Sequence, residues 1–159
     1  VFGNQVIDQP AGTTGYYYNH TVAHVEYGKA VLNGHSLAIG ERAEIRCYDE
    51  SLCYATDTNV SLYNHAVGCL HGASKGYSQD HARMYGYDQS LLHGFGKSML
   101  LAFDDARVNG VGAGATAYAT LAQVGPNHNL QLISDPQELA IAQKYGLQDS
   151  PEHSINRHR

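Results

Sequence analysis

The chain has 159 residues, a formal net charge of −5 at pH 7 and only 16% charged residues, against roughly 25% in an ordinary globular domain. With 17 glycines, 12 tyrosines and no tryptophan, it lacks the Glu, Lys, Leu and Arg that a helical bundle or coiled coil requires. Its 43% hydrophobic share excludes a disordered tail, and its acidic balance argues against non-specific binding to nucleic acid or anionic membranes.

From the N-terminus, residues 1–18 contain Gly12 and the run Tyr16-Tyr17-Tyr18 and are read as an N-terminal cap segment. The chain starts at Val1 without Met, which reads as a processed product or a fragment, and no charged leader followed by an apolar core is read within it. No stretch reaches the ~18–20 apolar residues of a membrane span. Cys47, Cys53 and Cys69 are odd in number with no CxxC pair, so reduced core residues are expected rather than a disulfide framework. That leans the compartment toward the cytoplasm, or toward the cell surface or virion if the chain is a fibre segment. The sequons at Asn19 and Asn59 are short enough to arise by chance.

From Asp57 the chain divides into eights without a gap: DTNVSLYN, HAVGCLHG, ASKGYSQD, HARMYGYD, QSLLHGFG, KSMLLAFD and DARVNGVG. The second place holds Thr58, Ala66, Ser74, Ala82, Ser90, Ser98 and Ala106, although Ala, Ser and Thr make up only 35 of the 159 residues. The eighth holds Asn64, Gly72, Asp80, Asp88, Gly96, Asp104 and Gly112. Upstream, RAEIRCYD and ESLCYATD (sharing Asp57 with the next unit), KAVLNGHS and HTVAHVEY continue the phrase with slips, and AGATAYAT is a degenerate last copy. The repeat therefore covers residues 19–124.

In a strand, alternate side chains share a face. Places 2, 4 and 6 of the seven clean units carry no charge, while place 3 carries Lys75, Arg83 and Arg107. Even places therefore face inward and odd places outward, and the Asn, Asp and Gly of place 8 mark corners with left-handed backbone. Short strands with a corner every eight residues give an all-β solenoid. Inward glycines at Gly68, Gly76, Gly86, Gly94 and Gly110 favour a flattened coil of two octads, because a triangular section would leave voids. Cys47 and Cys53 fall at inward places and Cys69 at outward place 5.

The phrase x-[AS]-x-[VLM]-x-[AG]-[YF]-[DG], clearest in HARMYGYD, KSMLLAFD and RAEIRCYD, resembles the octapeptide-repeat β-solenoid proteins of bacteria and their phages. SLLHGFGKS is more distantly similar to the sixteen-residue repeat of bacterial ice-nucleation proteins, without their outward Thr-x-Thr rows. The resemblance implies the solenoid architecture and carries no catalytic motif.

Beyond the repeat, residues 125–148 read as a C-terminal cap of strand and helix. NLQLIS (129–134) is the strand; Asp135 is the N-cap, Pro136 the first helical residue, and Glu138 completes a capping box. Leu139, Ala142 and Tyr145 share a helical face and Gly146 supplies the stop. Residues 149–159 form a polar tail.

Two apparent motifs dissolve into the repeat. Gly72-Ala73-Ser74-Lys75-Gly76 matches a nucleophile elbow, but Ser74 stands where neighbouring units have Ala66 and Ala82. Gly94-Phe95-Gly96-Lys97-Ser98 ends like a P-loop without its first glycine. His65 and His81 share place 1, so their rings should stack one coil apart, ~4.8 Å away by strand spacing. They are read as polar surface rather than a metal site, and no catalytic, cofactor-binding or metal residue is assigned.

With two octads per coil, one outer face carries Val67, Cys69 and His71, then Arg83, Tyr85 and Tyr87, then Met99, Leu101 and Phe103. The opposite face is more polar. The candidate interface is therefore Arg83, Tyr85, Tyr87, Met99, Leu101 and Phe103, contiguous apolar and aromatic groups on a flat sheet. The leading reading is a non-enzymatic structural protein that self-associates or docks on a protein partner through this Tyr-rich face. The alternatives are a phage or bacterial surface fibre or adhesin segment, with a glycan as partner, and a phage- or plasmid-encoded inhibitor of a host enzyme.

Overall fold

The computed structural model describes residues 6–110, 114–124 and 131–141. Short strands dominate: β1 (Val6–Asp8), β2 (Thr14–Tyr17), β3 (Val22–Glu26), β4 (Lys29–Leu32), β5 (Leu37–Glu41) and β6 (Glu44–Cys47). Next come β7 (Leu52–Thr56), β8 (Asn59–Leu62), β9 (Val67–His71), β10 (Lys75–Ser78), β11 (Arg83–Gly86) and β12 (Leu91–Gly94). The series ends with β13 (Met99–Ala102), β14 (Arg107–Gly110), β15 (Thr116–Tyr118) and β16 (Gln131–Ile133). A 3-10 turn at Leu121–Gln123 precedes β16, and a short helix over 136–141 follows it.

Up to β15, consecutive strands go to opposite sheets. Among the described residues, the odd strands plus β16 form a nine-stranded sheet, A, and the even strands β2 to β14 a seven-stranded sheet, B. All pairings between these strands are parallel. Two strands and two corners thus close each coil, giving the flattened β-solenoid. Successive register partners Lys29, Glu44 and Asn59 are fifteen residues apart, whereas Asn59, Lys75, Leu91 and Arg107 are sixteen apart. The difference lies in one corner. Only Asp57 and Thr58 separate β7 from β8, but Gly72, Ala73 and Ser74 separate β9 from β10. The residue shared by two units in the sequence is this shorter corner.

Small residues let the two sheets approach. A Cβ at Gly68 would meet Leu62, one at Gly76 the Met84 thioether and Leu70, one at Gly86 Leu92, and one at Gly94 Leu100. In each case a glycine on one sheet receives a large side chain from the other. The core is therefore a thin line of interleaved groups, including the fully buried Leu32, Ile45, Leu62, Leu70, Met84, Leu92 and Leu100. Such packing is intolerant of added volume.

The corners use left-handed backbone, with positive φ at Asn64, Asp80, Asp88 and Asp104 and at Gly72 and Gly96. These are the eighth-place residues of the repeat. Their side chains also tie coil to coil. At one corner the Gly34 N–H donates to Asp49 Oδ2 (2.9 Å), the Asp49 N–H to Asn64 Oδ1 (3.0 Å), and the Asn64 N–H to Asp80 Oδ2 (3.0 Å). At the other the Gly72 N–H donates to Asp88 Oδ2 (2.9 Å) and the Asp88 N–H to Asp104 Oδ2 (3.2 Å). Each carboxylate or carboxamide thus satisfies a corner amide one coil upstream, an amide that the sheet ladder does not use. Just past the corner, Ser36, Ser51 and Ser74 each donate a hydroxyl to the carbonyl three residues back (2.8, 2.7 and 2.7 Å). The buried Ser74 Oγ also accepts the Thr58 N–H at 3.0 Å, so the elbow-like serine serves the backbone.

The parallel pairing starts upstream of the recognisable phrase. β1 and β2 lie within 6–17 and pair in register with β3 and β4. The interior at this end is polar but satisfied. Buried Gln9 donates to the Thr13 and Lys29 carbonyls (2.7 and 2.9 Å) and accepts from the Tyr17 hydroxyl (2.6 Å). The Tyr17 ring lies where a side chain at Gly15 would be, and burial raises its phenol pKa above the usual value. At the other end, Gln123 Nε2 donates to the Asp104 carbonyl at 3.1 Å, and a single bridge joins Val124 to Val108. Asp135 caps the helix as expected: its Oδ1 accepts the Gln137 N–H (3.2 Å) and its carbonyl the Leu139 N–H (2.9 Å). Asn129, Ala142, Tyr145, Gly146, Gly112 and the tail from 149 lie outside the described residues.

Replacing Asp80 separates the two contributions of a corner. Asp80→Asn keeps both the conformation and the acceptor, and Asp80→Gly keeps only the conformation. Asp80→Ala loses the acceptor, about 0.5–1.5 kcal/mol, and keeps a Cβ in left-handed backbone without the short polar side chain that makes this conformation tolerable for Asp. Urea unfolding is expected to rank stability Asp, Asn, Gly, Ala, with Ala about 1–2 kcal/mol below wild type.

Candidate interaction face

In-register stacking turns every outward place into a column. On the outer face of sheet A one column runs Val22, Leu37, Leu52, Val67, Arg83, Met99, and the next runs Ile39, Tyr54, Cys69, Tyr85, Leu101, Tyr118. Arg83 is the one charged residue among these twelve; toward the N-terminus the second column continues into His24 and Asp8, and the flanking outward column runs Glu26, Glu41, Thr56, His71. Val22 and Leu37 pack with Ile39, Leu52 and Tyr54, and Val67, Tyr85 and Leu101 pack with Leu52, Met99 and Phe103. Leu52 belongs to both clusters, which makes the face continuous.

The six residues expected from the sequence meet on this face. Arg83 lies beside Met99 and Tyr85 beside Leu101, and the Tyr87 and Phe103 rings stack at 4.9 Å with planes 13° apart. Tyr85 and Leu101 are only 2% and 4% exposed: they point outward, but neighbouring rungs cover them. The accessible part consists of Arg83, Tyr87, Met99 and Phe103, all half-buried. Beside them, Leu139 of the short helix lines a cleft of about 190 Å³ with Leu101, Phe103, Tyr118 and Gln123.

Two features of this face were not legible in the repeat. The first is an aromatic column, Tyr54, His71, Tyr87 and Phe103, with centroid separations of 5.1, 4.6 and 4.9 Å. Tyr54 reaches His71 diagonally, off the period. The second is a polar line: Cys69 Sγ is 3.5 Å from His71 Nε2, and His71 Nδ1 is 3.5 Å from Asp88 Oδ2. The order thiol, imidazole, carboxylate is that of an activated nucleophile. Cys69, however, is completely buried, so no substrate reaches its sulfur in this conformation. All three cysteines are buried and none forms a disulfide. The hydrogen bond with Cys47, together with burial, pushes the Cys53 thiol well above its ordinary pKa, which keeps it protonated and inert.

The histidine stacking expected from the sequence is present, with the His65 and His81 rings 5.4 Å apart and 8° from parallel. His20 and His35 repeat it at 5.5 Å, and His35 Nδ1 lies 3.3 Å from Glu50 Oε2. Among the described residues, no group of three or more His, Cys, Asp or Glu is arranged to hold a metal ion.

Sheet B is the polar face. Its outer columns run Thr14, Lys29, Glu44, Asn59, Lys75, Leu91, Arg107 and Tyr16, Val31, Arg46, Ser61, Tyr77, His93, Asn109. Tyr77 stacks on His93 at 4.8 Å. Burial and then the nearby Lys75 charge lower the His93 pKa.

No family model, curated protein or solved structure matches this chain. Among the described residues, no helix is long and apolar enough to cross a membrane.

His93 gives the fold a pH dependence. Its folded pKa lies below the unfolded value of about 6.5, so protonation favours the unfolded chain. The stabilisation is complete above pH ~6.5 and is lost as pH falls through the depressed folded value. The urea midpoint is expected to fall between pH 7.5 and 5, and His93→Gln is expected to make that fall shallower. An unchanged slope in His93→Gln would assign the dependence to other groups.

Proposed function

We propose that the chain is a non-enzymatic structural and interaction protein, a rigid solenoid whose sheet A outer face meets a second copy of itself or a protein partner. The observation that carries the reading is the pair of columns described above, with one charge in twelve positions on a flat, continuous surface. Depletion of charge at the centre and enrichment in Tyr, Phe and Met are the compositional marks of an interface. The opposite sheet, with Lys29, Glu44, Arg46, Lys75 and Arg107 in equivalent places, supplies the contrast within one molecule.

The chain has room for such a contact. A standard interface takes about 800 Å² from each partner, roughly a tenth of the 8259 Å² surface of this chain. Rigidity adds to it, because residues already held in stacked columns lose little side-chain entropy on docking. The burial of Cys69 and the backbone bonds of Ser74 argue that the two nucleophile-bearing motifs are structural.

Light scattering coupled to size exclusion tests the proposal. The wild-type chain is expected to show a concentration-dependent dimer or larger species. Met99→Glu with Phe103→Glu, at half-exposed positions, is expected to give a monomer with unchanged far-UV CD. Association that survives this double substitution would place the interface elsewhere. A strictly monomeric wild type would remove self-association and leave the face to a different protein.

A further inference from the structure

At two corners the chain departs from its own rule. The left-handed position filled by Asp57, Gly72, Asp88 and Asp104 further along is filled upstream by Tyr27 (φ 52°) and Arg42 (φ 49°). Left-handed backbone costs about 1–2 kcal/mol for a residue with a Cβ, and neither side chain is a carboxylate that can take up a corner amide. The two engage each other instead. Arg42 Nη1 donates to the Tyr27 hydroxyl at 2.5 Å, and the guanidinium carbon lies 5.4 Å from the Tyr27 ring centroid. The pair is exposed, with Tyr27 52% accessible. Strained positions that give up a structural role tend to mark binding surfaces.

The neighbourhood agrees. The Tyr27–Arg42 pair borders a depression of about 350 Å³ over Gly28 and Ala43. A second depression of about 280 Å³ adjoins it and shares Thr14, Lys29 and Glu44. Tyr16, 64% exposed, and Arg46 line its far side. Glu44 holds the centre, 3.6 Å from Lys29 Nζ and 3.8 Å from Arg46 Nη2. The surface is thus a shallow trough with an exposed tyrosine at each end and cations plus one carboxylate between. Lys29, Arg42 and Arg46 are three of the ten Lys and Arg in a chain of net charge −5, and they line the trough against a single Glu. Glu41 and Asp57 approach Arg42 from beyond the corner.

We propose that this trough, at the N-terminal end of sheet B, binds an acidic oligosaccharide. Aromatic faces presented to solvent stack on the apolar faces of sugar rings. Guanidinium groups match carboxylates in a bidentate fork, and Lys29 and Glu44 supply a donor and an acceptor for hydroxyls. A purely anionic ligand without rings would leave Tyr16 and Tyr27 unused, and a neutral sugar would leave the Arg42 and Arg46 guanidinium groups without a ligand carboxylate. The site lies on the sheet opposite the proposed protein interface and does not depend on it.

Calorimetric titration with three probes tests the assignment: tetragalacturonate, maltotetraose as its neutral counterpart, and tetraglutamate as an anion without sugar rings. Tetragalacturonate is expected to bind at least tenfold more tightly than either. Tyr16→Ala and Arg46→Ala are each expected to weaken it at least tenfold with unchanged far-UV CD, while Lys97→Ala, at an exposed corner away from the trough, binds as wild type. Absence of tetragalacturonate binding, equal binding of tetraglutamate, or binding indifferent to Tyr16→Ala would each overturn the proposal.

Discussion

Everything in this molecule depends on turning the chain twice per coil with left-handed backbone and then satisfying the amides exposed at each turn. Sheets this close leave no room for a long loop, so the connections between strands β2 to β14 are two to four residues long. The residues that tolerate its conformation, Asp, Asn and Gly, are also short enough to return a side-chain oxygen to the coil before. Asp49, Asn64 and Asp80 do this along one corner, and Asp88 and Asp104 along the other. The same bonds fix the register, because a carboxylate that accepts from a particular amide cannot slip by one residue. A slip would also turn every inward glycine outward.

Fixed register is what gives the surface its character. Once equivalent places are superposed, sequence differences between odd and even octads become differences between two faces, one apolar and one charged. Columns of like residues follow from the geometry, including the stacked pairs Tyr48–Tyr63 and His65–His81. Where the phrase is broken, as at Tyr27 and Arg42, the side chains of neighbouring coils engage each other instead of the corner amides.

Much of this was legible because one phrase controls both the core and the corners. The alternation from Ser51 to Val108 identified the buried positions, and the eighth place identified the residues with positive φ. What escaped has physical reasons. β1 and β2 fall in the segment that reads as an N-terminal cap, and the repeat does not announce them because their coil closes with Gln9 and Tyr17, a hydrogen-bonded pair that does not look like an inward place. Tyr85 and Leu101 belong to the candidate interface because they point outward, yet both are buried. Pointing outward on a face of stacked rings is not the same as exposure, since each rung covers the next. The line from Cys69 through His71 to Asp88 crosses between rungs, so no periodicity within one strand announces it.

The most direct test of the account is an NMR measurement of which strands are neighbours. Contacts between backbone protons should link Asn59 to Lys75 and Lys75 to Leu91, sixteen residues apart and parallel. Three-bond couplings should give positive φ at Asp80, Asp88 and Asp104. Contacts between residues eight apart, or antiparallel pairs across a hairpin, would contradict the two-sheet solenoid and every surface built on it.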